Sequence, residues 1–411
     1  MIAFCVQNYT VELKFDFKYN PAMDMLYDIM IVGAGPSGLS TALHLERFIR
    51  DRGLAAVKKE SILVLEKSRH PRPKLCAGGI LAEGEAILAK LGLDLSEVPN
   101  VEVKHAHFNY AGKGLKTTLL KRNHIFRTVR RNEFDAWLAE NARQRGIALR
   151  EGIRVKRVQA KNAFIRVETD QGDFRAKVVV GADGSNSIVR RAVDGQTRPH
   201  VGRALEVITR RHPESAPTDE AFFDFSPLPR GISGYLWDFP AQVDGEAMRC
   251  WGIYDSNIID RQERAPLREL LAAEMAAHGH DLGEYQLKGH PIRWYEPANA
   301  AAAPRILLVG DALGAGALLG EGISPALGYG KVAAREILRA FEKRDFQFRG
   351  YKRRFGRSGL GGALWRRTFI AKLFYRFKRD GAQKIIWRRF GWLAGILGMI
   401  FVVGWEKPEK K

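Results

Sequence analysis

Residues Tyr27–Leu45, YDIMIVGAGPSGLSTALHL, decide the reading of this chain. A short apolar run, Ile29 to Val32, passes straight into Gly33-Ala34-Gly35-Pro36-Ser37-Gly38 and then into a helical pattern. A buried parallel strand, a glycine turn and a helix N-terminus are therefore expected in that order. Gly33 permits the sharp turn, Gly35 lets a pyrophosphate approach the backbone, and Gly38 lets helix and strand pack closely, while free helix amides and the helix dipole hold phosphate charge. Ser61 to Leu65 (SILVL) supplies a second strand ending in Glu66, the acid expected to take ribose hydroxyls. The interval from Gly38 to Glu66 exceeds the roughly 20 residues usual for this fingerprint. An insertion, Arg50 to Lys59, accounts for the excess.

The chain has 411 residues, 45% hydrophobic and 27% charged, which suits a globular protein with two or three cores and excludes disordered or repetitive classes. Cys5, Cys76 and Cys250 are too few and too scattered for a disulfide framework or a zinc site, so no metal is expected and a reducing compartment is. Lys and Arg number 66 against 46 Asp and Glu, and residues 341 to 390 alone hold sixteen basic and three acidic side chains. Such a block implies an anionic partner, nucleic acid or a membrane surface. Residues 1–26 lack the features of a signal peptide and read as an N-terminal extension.

After Glu66 the stretch KSRHPRPKLCAGGIL reads as a loop centred on Cys76-Ala77-Gly78-Gly79. It is either a surface loop with an incidental cysteine or backbone that presses against a flat ring. Val101 to Leu120 alternates weakly about a glycine, as a hairpin does. Arg127 to Arg143 has Phe134, Trp137 and Leu138 at helical spacing behind Asn132, the expected N-cap, with Arg130 and Arg131 at the helix mouth. Ile153 to Val158 and Phe164 to Val167 read as strands. Val178 to Val180 runs into Gly181-Ala182-Asp183-Gly184-Ser185, and Ile306 to Val309 runs into Gly310-Asp311. Two strands ending in glycine and an acid suggest two loops converging on one ligand at the carboxyl ends of parallel strands. Residues 196–295 differ in texture: Phe222, Phe223, Phe225, Tyr235, Trp237, Phe239, Trp251 and Tyr254 suit an antiparallel sheet with one apolar face, part core and part pocket lining. Gly314-Ala315-Gly316 is not a second fingerprint, because no strand with a terminal acid follows; it precedes a helix from Ile323 to Phe341.

Gly391 to Trp405, GWLAGILGMIFVVGW, is fifteen uncharged residues preceded by WRRF. A spanning helix needs about 20 apolar residues, so an interfacial anchor with tryptophans at its edges fits better, the alternative being a helix docked on the core. No RNA-binding module surrounds the basic block, so nucleic acid is not an expected partner.

Taken in order, GAGPSG, Glu66, CAGG, the arginine before FDAWL, GADGS, YLWDFP and GDALGAGALLGEGI resemble the flavoprotein family of geranylgeranyl reductases, within the group sharing the para-hydroxybenzoate hydroxylase fold. The resemblance runs from Tyr27 to Ala340. It implies an α/β fold in which a Rossmann-type FAD-binding domain (27–100, 126–195 and 296–345) is interleaved with an antiparallel-sheet substrate domain (101–125 and 196–295), followed by a basic, apolar helical region at 346–411. Gly33, Ala34, Gly35, Pro36, Ser37, Gly38 and Glu66 would bind the ADP half of FAD, and Arg131 would support the diphosphate. Asp183 lies in a motif that serves FAD and nicotinamide cofactors in relatives, Asp311 would hold the ribityl chain, and Gly322 and Ile323 would present backbone to the isoalloxazine. Cys76, Ala77 and Gly79 would lie along the flavin, and Tyr235, Trp237, Phe239 and Pro240 resemble the motif lining an isoprenoid tunnel. Ala77 replaces a third glycine common in the family, and ALGAGALLGEG departs from its usual loop.

The function so implied is saturation of C=C bonds in a polyprenyl lipid or diphosphate by reduced flavin, with Cys76, Tyr235 or bound water as proton donor. Electrons would come from NAD(P)H or a ferredoxin-type protein. The protein would be cytoplasmic and peripherally attached to a membrane. The rivals are a flavin-dependent monooxygenase or halogenase acting on an apolar substrate, and a flavin-binding membrane-associated partner protein without turnover.

Overall fold

The computed structural model describes residues 25–52, 57–118, 123–195, 201–211, 216–259, 264–389 and 404–406. Residues 1–24 of the expected extension 1–26, part of the insertion after Arg50, and nearly all of the apolar segment 391–405 lie outside them, while Leu26 already belongs to the first strand.

The strand Leu26–Val32 is the centre of an eight-stranded sheet. It pairs in parallel with Ile62–Glu66 on one side and Gly172–Gly181 on the other, and these pair in parallel with Ala148–Glu151 and Ile306–Leu308. A strand covered on both faces must be apolar throughout, and ILVLE is buried along its whole length. Ile165–Thr169 and Val155–Ala160 extend the sheet antiparallel to Gly172–Gly181. The helix Pro36–Arg52 follows the glycine turn and packs on the long helix Ile323–Lys343. The approach is close because Gly330 has no side chain: a Cβ there would come within 2.4 Å of Ser40 Oγ, which donates to the Leu327 carbonyl at 2.7 Å. The long interval before Glu66 thus begins with a helix running through Arg52.

A second sheet of seven strands runs in the order Lys288–Arg293, Val201–Arg210, Glu246–Asp255, Gly234–Val243, Glu220–Asp224, His105–Tyr110, Lys113–Thr118. It is not wholly antiparallel, because Glu220–Asp224 joins His105–Tyr110 in parallel. The expected hairpin is His105–Tyr110 with Lys113–Thr118, closed by Ala111 and Gly112, both at positive φ (48° and 71°) as a two-residue hairpin turn requires. The residues just before it, Asn100–Val103, pair instead with Phe126–Val129, which also pairs with Gly79–Leu81 in a three-stranded sheet. Arg127–Val129 is therefore strand, and the helix starts at Arg131 with Arg130 as its cap residue; Asn132 is not the N-cap.

Trp405, expected at one edge of an interfacial anchor, is itself packed on the protein. It is 8% exposed and packs on Gly328 and Gly359, where added Cβ atoms would approach its ring to 2.7 Å and its carbonyl to 2.4 Å. Glu406 pairs with Lys90 at 2.5 Å and Lys331 at 2.7 Å, and the Gly404 amide donates to Glu83. Trp405→Ala is expected to cost about 3 kcal/mol, the scale of emptying a large aromatic site, read as a lower thermal-unfolding midpoint of the purified protein. Among the described residues no helix is long and apolar enough to cross a membrane.

Candidate functional site

The carboxyl ends of four parallel strands meet at one place. Gly33 N–H donates to Leu65 O (2.7 Å), Ala182 N–H to Val32 O (2.8 Å) and Val309 N–H to Gly181 O (3.0 Å), so the loops after these strands are stitched side by side. Gly33 sits at φ +106°, and a Cβ on it would strike the Ala182 carbonyl at 2.4 Å. Gly38 would carry its Cβ 1.9 Å from Gly33 O. These two glycines close the turn. Gly35 differs: a Cβ there would meet only the guanidinium ends of Arg72 and Arg131, at 3.7 and 4.0 Å.

That open side of the turn begins a cavity of about 2300 Å³, well beyond the roughly 300–1,000 Å³ of a drug-sized site. Of the expected site residues, Gly33, Gly35, Pro36, Ser37, Glu66, Cys76, Ala77, Gly79, Arg131, Asp183, Asp311, Gly322, Ile323, Tyr235, Trp237 and Phe239 all line it. Three do not. Ala34 is fully buried, and its amide donates to Glu66 Oε2 at 2.8 Å; Gly38 is consumed in packing; Pro240 lies on the other face of its strand. Alternation explains the last: Tyr235, Trp237 and Phe239 share one face, while Asp238 on the other pairs with the buried Arg249 at 2.7 Å.

Some expected residues do structural work. The Asp183 carboxylate accepts from Ser187 Oγ (2.5 Å) and from the Ile188 and Val189 amides (2.6 and 3.2 Å), satisfying the start of the helix Ile188–Asp194. Burial nonetheless holds its pKa above the ordinary carboxylate value. Arg131 grips Asp135 with two bonds of 2.8 Å, and Arg72 reaches the same carboxylate at 3.2 Å. The Arg72 Nε is buried with no hydrogen-bond partner among the described residues, although Glu66 Oε1 lies 3.7 Å away. Two guanidiniums fixed beside Gly35 and above a helix N-terminus form a cradle suited to a diphosphate. This arrangement fits FAD.

Beyond the cradle, Lys74 Nζ donates to His290 Nε2 at 2.5 Å. Burial brings the Lys74 ammonium down to about 8, and burial with the Lys74 charge brings His290 down to about 3, so His290 accepts as the neutral ring. Cys76 is half-buried, accepts from the Gly78 amide at 3.3 Å, and has its thiol pKa pushed up by burial. The Tyr235 hydroxyl donates to Leu319 O at 2.7 Å, and burial pushes its pKa far up as well. Glu206, unremarked in the sequence, lines the cavity from the strand Val201–Arg210 at 2% exposure. Its carboxyl group lies against the Cys76 backbone and the Cys250 thiol, one oxygen has no partner among the described residues, and burial raises it to about 7. The alternation of that strand was its only signal. Arg72 was equally hidden, between two prolines in a loop that reads as surface.

The far end is aromatic. Phe223 lies 4.8 Å from Phe239 and 5.3 Å from Tyr235, centroid to centroid, and Tyr235 lies 6.2 Å from Trp237. Gly252 makes room for Trp237, whose ring a Cβ there would meet at 2.1 Å.

Residues 26–313 match the family described as FAD binding domain. The chain is 30% identical over 355 residues to an uncharacterized protein of Methanosarcina barkeri, covering 85% of this chain and 84% of that one. It is 26% identical over 351 residues to a digeranylgeranylglycerophospholipid reductase of Picrophilus torridus, covering 79% and 81%. Among solved structures, a geranylgeranyl bacteriochlorophyll reductase-like protein of Thermoplasma acidophilum superposes with a TM-score of 0.68 at 22% identity over 90% of this chain and 98% of that one. The halogenase PltM does so with 0.66 at 17% over 92% and 82%. These two likenesses show the fold alone. With the family match over most of its length, and with the strand, glycine turn and helix of a dinucleotide fingerprint in place, the chain belongs to the FAD binding domain family of flavin-dependent oxidoreductases.

Proposed function

We propose that the protein is an FAD-dependent reductase that saturates C=C bonds of a polyprenyl lipid or diphosphate. The observation that carries this reading is one continuous cavity that joins the Gly35 cradle to the aromatic walls Phe223, Tyr235, Trp237 and Phe239, with the buried carboxyl group of Glu206 along it.

Gly33, Gly35, Pro36, Ser37, Glu66, Arg72 and Arg131 would hold the ADP end, and Cys76, Ala77, Gly79, Asp183, Asp311, Gly322 and Ile323 the remainder. When bound and reduced, FAD would supply the hydride chemistry that reduction of the double bond needs. The chain's residues do the rest. The aromatic walls hold the prenyl chain by apolar burial and keep water away. Glu206 gives its proton to a carbon of the double bond, because burial keeps it protonated near neutrality, as a general acid requires. We assign this step to Glu206 rather than to Cys76 or Tyr235, whose pKa values burial moves away from neutrality. The domain division given above, a nicotinamide or ferredoxin-type electron donor, and peripheral attachment to a membrane belong to the same proposal.

The test is anaerobic incubation of the holoprotein, its flavin chemically reduced, with geranylgeranyl diphosphate or an unsaturated diether lipid. The expected product gains two mass units per bond reduced. A product that forms only when oxygen is admitted overturns the reading in favour of an oxygenase or halogenase. Flavin that no prenyl compound reoxidises points to a partner protein without turnover.

A further inference from the structure

The helix Gly359–Phe374 has two apolar faces. One is inside: Leu360, Ala363, Leu364, Thr368 and Ala371 are buried, Thr368 Oγ1 donates to Tyr295 O at 2.6 Å, and just beyond the helix Tyr375 OH donates to Leu318 O at 2.6 Å. The other is outside. Trp365, Phe369 and Leu373 follow at intervals of four, Phe377 continues the row, and all are 49–56% exposed. Among the described residues seven large apolar side chains are exposed, and these four with Ile385 make five of them. A soluble surface rarely gathers large apolar groups in one contiguous patch without a use for it.

Trp365, Phe369, Leu373 and Phe377 also line the cavity, so the stripe is its rim as well as an outer surface. Inward, Phe225 lies 5.7 Å from Phe374, 5.4 Å from Trp387 and 5.6 Å from Tyr235, which makes an unbroken apolar path from the stripe to the aromatic wall. Residues 359–388 hold eight basic side chains and one acidic one. Lys372 is paired with Glu296 and Lys384 with Asp380, while Arg376, Arg379 and Arg388 are exposed in the same stretch of chain.

We propose that this stripe docks on an anionic lipid bilayer and is the door through which a lipid tail passes from the membrane into the cavity. A row of Trp, Phe and Leu with exposed arginines in the same stretch of chain is the composition that settles at the boundary of headgroups and acyl chains, the aromatic rings in the interface and the cations on anionic headgroups. The positive field argues against a second copy of the same face as occupant, because the two would repel. The helix is held in place by its buried face, so the stripe is presented as a fixed surface. The entry of a lipid tail rests on the function proposed above; the docking does not.

The test uses the full-length, FAD-loaded protein with vesicles of phosphatidylcholine, with and without phosphatidylglycerol. The wild-type chain is expected to co-sediment with the anionic vesicles and to lose binding as salt rises. The double variant Phe369→Glu/Leu373→Glu changes two side chains that are more than half exposed, so it is expected to keep its flavin and its melting temperature while its partitioning falls by more than about tenfold. Equal partitioning of variant and wild type overturns the proposal, since the anchor would then lie elsewhere, as in residues 390–403. So does a wild-type chain that ignores anionic vesicles, or one that is a dimer without lipid and becomes a monomer in the variant. Vesicle binding through the stripe by a protein that reduces no prenyl compound leaves the docking standing and removes the reductase.

Discussion

Gly35→Asp is expected to give a folded protein that purifies without flavin. The position accepts a side chain: a Cβ would find only ordinary contacts at 3.7 and 4.0 Å, and no positive φ is required there. The new carboxylate would pair with Arg72 and Arg131 and occupy the place meant for a diphosphate, leaving like charges opposed whenever FAD approaches. The loss should be at least about 100-fold in affinity, about 2.8 kcal/mol at 1.4 kcal/mol per decade. The ratio of flavin to protein absorbance reads it directly, and an unchanged melting curve of the flavin-free protein shows the fold is intact. A variant that retains a full complement of FAD would show that the diphosphate is not held at this cradle. Gly38→Ala makes a useful contrast, since its Cβ would lie 1.9 Å from the Gly33 carbonyl and the turn itself should fail.

The second large effect is expected from Glu206→Gln. The substitution keeps shape and removes the proton, so FAD should bind as before while turnover of a prenyl substrate falls by about 10²–10⁴, the usual worth of a positioned general acid. The pH dependence gives an independent sign. The wild-type carboxyl group is the acid below about 7 and loses its proton above it, so the rate should decline as pH rises through 7, and this limb should be absent in the glutamine variant. Stability should follow the same group. Its folded pKa is raised from 4.5 to about 7, so the folded state holds the proton longer than the unfolded chain does, and stability falls as pH climbs through that interval in the wild type but less so in the variant. Turnover and pH profile both unaltered in the variant would return the proton to Cys76, Tyr235 or solvent.

Much of this molecule was open to reading along the chain. YDIMIVGAGPSGL announces strand, turn and helix because each demand is local: an apolar run to be covered on both faces, glycines where backbone meets backbone, and amides that point at an anion. YLWDFP points to a pocket wall by its resemblance to a family motif, and the alternation of side chains along a strand, applied to it, would have removed Pro240. The strands ending in Asp183 and Asp311 could be matched by pattern and do end side by side, but pattern could not say that one carboxylate would be spent on a helix start.

Meetings between residues far apart in the chain were settled by packing alone. Arg72 comes to stand over Gly35, Glu206 comes to lie against Cys76, and Trp405 enters the core beside Gly328 rather than a membrane. The physical reason is common to all three. Backbone conformation is set by neighbours a few residues away, which the sequence prints in order, whereas burial, charge pairing and a raised acid arise where separate elements pack, and sheet register and helix contacts choose those partners. The stripe on Gly359–Phe374 is the clearest instance: its apolar residues run all round the helix on paper, and only packing showed which half of them the protein leaves outside.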